Sequence, residues 1–125
     1  MRFLLDTCAF LWWLDEPEFF ATKTYAQIQN AGNEVFVSAV SFLEIALKQR
    51  LGKLRYLGDL EKFSDENGFI NLALSRKHAL LVADMPLHHK DPFDRALIAQ
   101  ATIEGLTIVT RDRMFTRYPI PVLIA

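Results

Sequence analysis

The sequence predicts an α/β fold with a mostly parallel sheet. Short apolar segments alternate along the chain with segments of helical periodicity, and this order favours parallel strands joined by right-handed crossovers. The 125 residues contain no internal repeat, low-complexity tract or linker, so we expect one compact domain spanning residues 1–125. Because ligands bind beyond the carboxyl ends of the strands in open parallel sheets, a functional site is expected at that edge.

Five short apolar segments are predicted to form the strands. The first is an apolar run that ends in a carboxylate at Asp6, a pattern typical of a fully buried strand at the centre of a parallel sheet. The strands are expected at residues 2–6, 35–37, 69–72, 106–109 and 122–124.

Capping residues and helical periodicity predict the helices between these strands. The clearest signature is Asp91 as an N-cap, followed by Pro92 at the first helical position and an alanine-rich apolar body. In the helix that ends at residue 51, leucine and alanine recur at helical spacing, and either Ser38 or Ser41 could be the cap. The helices are expected from residue 7 onward and at residues 18–31, 38–51, 59–67, 75–82, 91–105 and 111–117, with a loop at 85–90.

The composition indicates an intracellular protein without a strong overall charge. The formal net charge is -1, so any polyanion must be held by local charges. Cys8 is the only cysteine; this excludes an intramolecular disulfide, fits a reducing cytosol, and predicts a small buried apolar side chain. No uncharged apolar run reaches the ~18 residues of a membrane span, and Asp6 interrupts the apolar start, so we expect a cytoplasmic protein.

Four acidic residues are predicted to converge at the carboxyl edge of the sheet. Asp6 ends the first strand, and Asp112 follows the fourth strand by a few residues. Asp94 lies in the first turn of a helix whose N-terminus points to the same side, and Glu44 lies on the helix that leaves the second strand. Two carboxylates ~4 Å apart repel each other by about 4 kcal/mol at an effective dielectric of ~20. Either some of these acids are protonated or a cation belongs there, and oxygen ligands favour Mg²⁺ or Mn²⁺ over zinc.

Each acid also has a structural interpretation. Asp94 could complement the helix dipole, Asp112 could cap the short helix that follows it, and Asp91 is better explained as an N-cap than as a ligand. Asp6 is harder to explain in this way, since an isolated carboxylate that closes an apolar strand is costly unless it is paired or metal-bound. Glu44 has a similarly apolar setting. The four acids together therefore favour a metal site more strongly than any one of them.

Four segments resemble the signature regions of a known family. They are Leu-Leu-Asp-Thr-Cys at residues 4–8, Val-Ser-Ala-Val-Ser-Phe-Leu-Glu at 37–44, Asp-Pro-Phe-Asp-Arg-Ala-Leu-Ile-Ala-Gln-Ala at 91–101 and Val-Thr-Arg-Asp-Arg-Met-Phe at 109–115. In this order the chain resembles PIN domains, and among them the VapC-type toxins of toxin-antitoxin pairs. The resemblance implies a three-layer α/β/α sandwich whose parallel five-stranded sheet has the strand order 3-2-1-4-5.

The resemblance also implies the chemistry of the site, with Mg²⁺ or Mn²⁺ as the cofactor. By motif position, the family's catalytic and metal-binding roles fall on Asp6, Glu44, Asp94 and Asp112. The supporting residues that it implies are Thr7, Asp91, Arg95 and Thr110. Thr7 could orient Asp6 or a water, or else cap the first helix, and Cys8 departs from the asparagine or serine that is frequent at its position. The implied function is an endoribonuclease toxin that hydrolyses RNA with metal-activated water.

RNA and two protein partners follow from the same resemblance. VapC-type proteins are typically homodimers that a small antitoxin neutralises by packing over the active-site groove, and both partners are expected here. His88 and His89 could touch the substrate, although an exposed loop without metal-ligand spacing is the better interpretation. The basic side chains that could meet an RNA backbone, most of which would otherwise be solvated, are Lys48, Arg50, Lys53, Arg55, Lys90, Arg95, Arg111, Arg113 and Arg117.

Two other functions stay open. A PIN-type nuclease could act in RNA processing or DNA metabolism outside toxin-antitoxin systems. A non-catalytic α/β regulatory module, such as a receiver domain, would need adjacent acids after the first strand and a late lysine, whereas Asp6 stands alone there. A phosphatase with a catalytic aspartate would need a second aspartate at the position of Cys8.

Overall fold

The computed structural model describes residues 1–56 and 58–125, which contain five strands. These are β1 Arg2–Leu5, β2 Glu34–Ser38, β3 Ile70–Leu72, β4 Thr107–Thr110 and β5 Val122–Ile124. They form one sheet in which every neighbouring pair is parallel and the order is β3-β2-β1-β4-β5. The predicted α/β fold class and strand order are therefore confirmed.

The side chains of β1 explain why this strand lies at the centre of the sheet. Phe3 and Leu5 belong to the core on one face and Leu4 to the core on the other, and all three are fully buried. Because alternate residues of a strand point to opposite faces, a continuous apolar run fills both cores at once. Leu4 is level with Phe36 of β2 and with Ile108 of β4. This register brings the carboxyl ends of β1 and β4 side by side.

Helices cover both faces of the sheet, as the three-layer prediction requires. They are α1 Thr7–Asp15, α2 Thr22–Gln29, α3 Ala39–Arg50, α4 Leu60–Glu66, α5 Arg76–Asp84 and α6 Pro92–Glu104, with 3-10 helices at Pro17–Phe19 and Arg113–Arg117. Ser38 rather than Ser41 caps α3, since its hydroxyl accepts from the Val40 N–H at 3.0 Å. As predicted, α6 begins at the Asp91 cap and ends at Gly105, whose φ of 68° lies in the left-handed region. Within the described part of the chain, no helix combines the length and apolarity needed to cross a membrane.

Two local predictions were wrong. Residues 18–31 do not form one helix, because the chain leaves the 3-10 helix at Pro17–Phe19 before α2 begins. At the break, Phe20 has an extended backbone (φ -75°, ψ 141°) and its side chain enters the core. Cys8 is exposed rather than buried, since the two residues that follow it occupy the core side of α1. Both errors come from tertiary packing, which decides whether a given apolar side chain finds a place in the core.

The leucines of α3 and of its C-cap, Leu51, face solvent. Their spacing correctly predicts a helix, but Leu43, Leu47 and Leu51 are 51%, 46% and 67% exposed. The buried side of the helix instead carries Glu44 and Ile45 among its members. We call the three exposed leucines the leucine face. The helix therefore exposes apolar side chains to water on this side, while the Glu44 carboxylate is buried on the other.

Candidate active site

Asp6 and Asp112 meet at the carboxyl edge of the sheet. Asp6 follows β1, is 5% exposed, and caps α1 through its Oδ1, which accepts from the Ala9 N–H at 2.8 Å. Thr110 ends β4; its buried hydroxyl accepts from the Asp112 N–H at 3.0 Å, and its hydrogen-bonding effect lowers the pKa of the neighbouring Asp6 carboxyl. Asp112 caps the next 3-10 helix by accepting from the Met114 N–H at 2.9 Å. The parallel register therefore brings Asp6 and Asp112 close enough for their charges to repel each other.

Asp94 reaches the same place from the N-terminus of α6. It is joined to Asp112 through His89, whose Nε2 lies 3.0 Å from Asp94 Oδ2 and 2.9 Å from Asp112 Oδ2. One ligand-type atom from each of these three residues lies within 4.8 Å of the other two. Asp91 accepts from the N–H groups of Phe93 and Asp94, and its predicted role as the N-cap is confirmed.

Glu44 lies beside this cluster on α3 and already has partners. Its Oε1 accepts from the Thr7 hydroxyl at 2.7 Å, and its Oε2 is paired with Lys48 one helical turn later. Thr7 also contacts the Ser41 hydroxyl at 3.0 Å. Because Glu44 is only 5% exposed, its charge would be costly without the ammonium group. Thr7 therefore orients Glu44 rather than Asp6, and the cap of the first helix is Asp6 rather than Thr7.

The pKa values of two acids are raised well above the usual range. Burial is the largest cause at Asp6, where repulsion from Asp112 and Glu44 also contributes and the pKa reaches about 6. At Asp94 burial is again the largest cause, followed by repulsion from Asp91, and the pKa reaches about 7. Asp6 and Glu44 further raise the pKa of Asp94, which shows that the charges of these acids act on one another. Perturbed carboxylates of this kind are typical of functional sites.

The side chains present fit a hard divalent cation. Carboxylate oxygens are the ligands that Mg²⁺ and Mn²⁺ prefer, and a bound cation would offset the burial and the repulsion that raise the pKa of Asp6 and of Asp94. Asp6, Asp94 and Asp112 are the most available donors. Glu44 is less available, since one of its oxygens is paired with the Lys48 ammonium group, whereas among the described residues no lysine or arginine pairs with Asp6, Asp94 or Asp112. The metal-binding and catalytic roles of these four acids stay predictions.

Two residues beside the acids differ from their sequence-based interpretations. The sequence places Arg95 among the groups that could support the site or meet RNA, but its guanidinium is buried and turned away from solvent, with only 6% of the residue exposed. It donates to the backbone carbonyls of Val82, Met85, Pro86 and His89. His89 does not lie in a freely exposed loop, since it joins two of the acids. The sequence did hold a signal for this role, since His89 stands two residues before Asp91, the N-cap of the helix that carries Asp94. The direction of the imidazole could not be predicted, because it depends on the loop that Arg95 holds in place.

Comparison with known proteins identifies the family. The chain is 28% identical to the ribonuclease VapC22 of Mycobacterium tuberculosis, over 97% of this chain and 96% of that protein. Its fold is similar to VapBC2 from Rickettsia felis bound to a DNA fragment from their promoter (TM-score 0.72, 16% identity, 100% of this chain and 99% of that chain). It is also similar to VapBC-5 from Mycobacterium tuberculosis, a member of the VapBC family of toxin-antitoxin systems (TM-score 0.59, 17% identity, 98% of this chain and 96% of that chain). These similarities confirm the resemblance seen in the four sequence segments. Since the PIN domain model matches residues 3–121, the chain belongs to the PIN domain family.

Proposed function

We propose that the protein is an endoribonuclease that uses Mg²⁺ or Mn²⁺ to hydrolyse phosphodiester bonds in RNA. The observation that carries this proposal is that ligand-type oxygens of Asp94 and Asp112 lie within 4.8 Å of each other and that the charge of Asp6 acts on both acids; burial and repulsion raise the pKa of Asp6 to about 6 and that of Asp94 to about 7. The similarity to the ribonuclease VapC22 supports RNA as the substrate. A divalent ion at such a site neutralises a phosphodiester and makes water a stronger nucleophile near neutral pH.

The chain's own side chains have separate tasks at this site. Asp6, Asp94 and Asp112 would hold the cation, and the backbone N–H groups that bind Asp6 and Asp112 keep these carboxylates oriented. The hydrogen bond with Glu44 raises the pKa of Lys48, so its ammonium group stays charged. With a side chain 45% exposed beside the acids, Lys48 can meet a phosphate of RNA. Local cations of this kind are required because the net charge of -1 does not attract RNA.

RNA cleavage by the purified protein should require both the metal and Asp94. Excess chelator should abolish cleavage, and added Mn²⁺ or Mg²⁺ should restore it. Asp94→Asn should lower the rate by roughly 10²–10³-fold, the size of effect seen when one group that stabilises transition-state charge is removed. Asp84→Asn, at an exposed position at the end of α5, controls for the loss of a charge and should cleave like the parent. Cleavage that persists in chelator, or an Asp94→Asn variant as active as the parent, would contradict the proposal.

We also propose that the protein is a homodimeric toxin whose antitoxin covers the acidic groove. VapBC-5, to which its fold is similar, is a member of a family of toxin-antitoxin systems. The leucine face of α3 offers the dimer an apolar surface, since its members Leu43, Leu47 and Leu51 are a turn apart and exposed. In this arrangement the second copy packs on the leucine face and the antitoxin on the acidic side. Growth arrest on expression, relieved by a neighbouring antitoxin gene, tests the toxin role; without arrest, a PIN-type nuclease outside toxin-antitoxin systems is favoured.

Leu47→Asp should convert the dimer to a monomer without unfolding the chain, because this side chain is already 46% exposed in one copy. Light scattering measures the mass in solution, and thermal unfolding confirms that the variant is folded. Lys62→Asp on α4 introduces a similar charge at another exposed position and should leave the mass unchanged. A parent protein that is monomeric, or a Leu47→Asp variant that stays dimeric, would exclude the leucine face as the interface.

A further inference from the structure

We propose that His89 is a positioning residue of the metal site, whose Nε2–H group holds the carboxylates of Asp94 and Asp112 together in the arrangement that a divalent ion requires. This inference rests on the proposed metal-dependent nuclease and adds a residue that is not acidic to its site. It starts from the observation that one ring nitrogen lies within hydrogen-bond distance of both acids.

The hydrogen bonds of the imidazole ring determine where its proton lies. Nδ1 of His89 accepts from the Asp91 N–H at 3.2 Å, so this nitrogen carries no proton. The proton of the ring is therefore on Nε2, 3.0 Å from Asp94 Oδ2 and 2.9 Å from Asp112 Oδ2. An N–H group shared by two carboxylates reduces the repulsion that would otherwise separate them. A direct bond from Nε2 to a metal would instead need the proton on Nδ1, where it would face the Asp91 N–H.

The backbone of His89 is held from both sides. Its N–H donates to the Tyr118 hydroxyl at 2.9 Å, and its carbonyl accepts from Arg95 Nη1 at 3.2 Å. The Tyr118 hydroxyl donates to the Pro86 carbonyl at 2.7 Å, which ties the histidine to the start of its own loop. The imidazole also packs edge-on against Phe115, with the ring centroids 5.6 Å apart. The ring is therefore fixed in front of the acids, as a positioning group must be.

Asp112 shows what the histidine contributes. Its Oδ1 is fixed by the Met114 N–H and its Oδ2 by His89, so both oxygens are oriented although 42% of the side chain is exposed. Without the histidine, repulsion from Asp94 would favour rotation of this carboxylate toward water. Metal binding would then have to bring the two acids back together. His89 keeps the two carboxylates together in the metal-free protein. Metal binding therefore does not have to supply the free energy of bringing them together, and the metal affinity is higher by that amount.

Calorimetric titration of the purified protein with Mn²⁺ measures the effect. His89→Ala should weaken Mn²⁺ binding about 10- to 100-fold, the usual effect of removing a group that orients metal ligands. His89→Gln carries an amide N–H near the position of Nε2 and should recover most of the affinity. His88→Ala is the matched control, because His88 is exposed and packs edge-on against Tyr118 rather than on the acids. This control should bind Mn²⁺ as tightly as the parent.

The variants separate a failure of this inference from a failure of the nuclease site. If the parent binds no Mn²⁺, or if Asp94→Asn binds it equally well, the proposed metal site is wrong and the inference falls with it. If Asp94→Asn loses binding but His89→Ala binds as tightly as the parent or more tightly, only the positioning role is overturned. If His89→Gln is as weak as His89→Ala, an N–H donor is not what the site needs, and the positioning role is again overturned. Urea unfolding without metal verifies that each variant is folded.

Discussion

Replacing Asp6 with asparagine should lower metal-dependent RNA cleavage by roughly 10²–10³-fold or more and at the same time stabilise the metal-free protein near neutral pH. Asparagine is also a good N-cap, so the bond from the Ala9 N–H to the side-chain oxygen is kept. The carboxylate that disappears is one whose ionisation the folded protein resists, because burial, and then Asp112 and Glu44, raise its pKa to about 6. Removing a charge that is needed for activity but is unfavourable in the folded state should lower the activity and raise the stability.

The pH dependence of stability has the same origin. The pKa of a free aspartate is 3.8, whereas in the folded protein it is about 6 at Asp6 and about 7 at Asp94. Between these values the folded protein binds more protons than the unfolded chain, so the free energy of unfolding falls as the pH rises from about 4 to about 7. A shift of about two pKa units at Asp6 corresponds to on the order of 3 kcal/mol. In the Asp6→Asn variant, the free energy of unfolding should lose the part of this decline that lies below about pH 6. Near neutral pH it should be higher than that of the parent by on the order of 1–3 kcal/mol.

Chemical denaturation of the metal-free protein across this pH range measures the change. Mn²⁺ should stabilise the parent more at neutral than at acidic pH, since the ion binds ionised carboxylates, and should stabilise Asp6→Asn little. The exposed Asp84→Asn variant should follow the parent. A parent that becomes more stable as the pH rises through this window would contradict the prediction, as would an Asp6→Asn variant that is less stable near neutral pH.

Arg95→Met should destabilise the protein by about 3 kcal/mol or more, since a buried carbonyl that loses its donor costs about 1–3 kcal/mol. The Arg95 guanidinium, in a residue 6% exposed, is hydrogen-bonded to backbone carbonyls and to the Tyr118 hydroxyl. Methionine fills a similar space but donates no hydrogen bond, so the partly buried carbonyls of Val82, Met85 and His89 lose this donor, while the Pro86 carbonyl keeps the Tyr118 hydroxyl. They belong to the end of α5 and to the loop that carries His89, so the loop should also lose its fixed position.

Urea unfolding at a single pH compares this variant with its controls. Arg113→Met changes an exposed arginine and should stay within about 0.5 kcal/mol of the parent. Arg95→Lys keeps the charge but cannot reach all the acceptors of the planar guanidinium, and an intermediate loss is expected. The folded Arg95→Lys protein should also bind Mn²⁺ more weakly than the parent. An Arg95→Met variant as stable as the parent would show that the guanidinium does not hold the loop.

Prediction from the sequence was most accurate where the information is local. Asp91 followed by Pro92 places the start of α6, and the apolar run before Asp6 places the central strand, because capping and burial pattern depend on adjacent residues. The break between the 3-10 helix and α2 was missed, since it depends on where Phe20 packs. The leucine face was also not foreseen, because helical spacing of apolar residues does not state which side of the helix meets the core.

The sequence by itself determined the parallel sheet, its main helices and the identity of the acids at its carboxyl edge, since apolar periodicity, capping and the four motifs are all properties of neighbouring residues. Only the tertiary structure decided how those acids are held. His89 joins Asp94 to Asp112, and the buried Arg95 guanidinium donates to the His89 carbonyl. From the sequence, His89 was expected in an exposed loop and Arg95 beside the acids or the RNA. The physical reason is that both roles depend on contacts between distant segments, whose geometry arises only when the loop packs against α5, α6 and Tyr118.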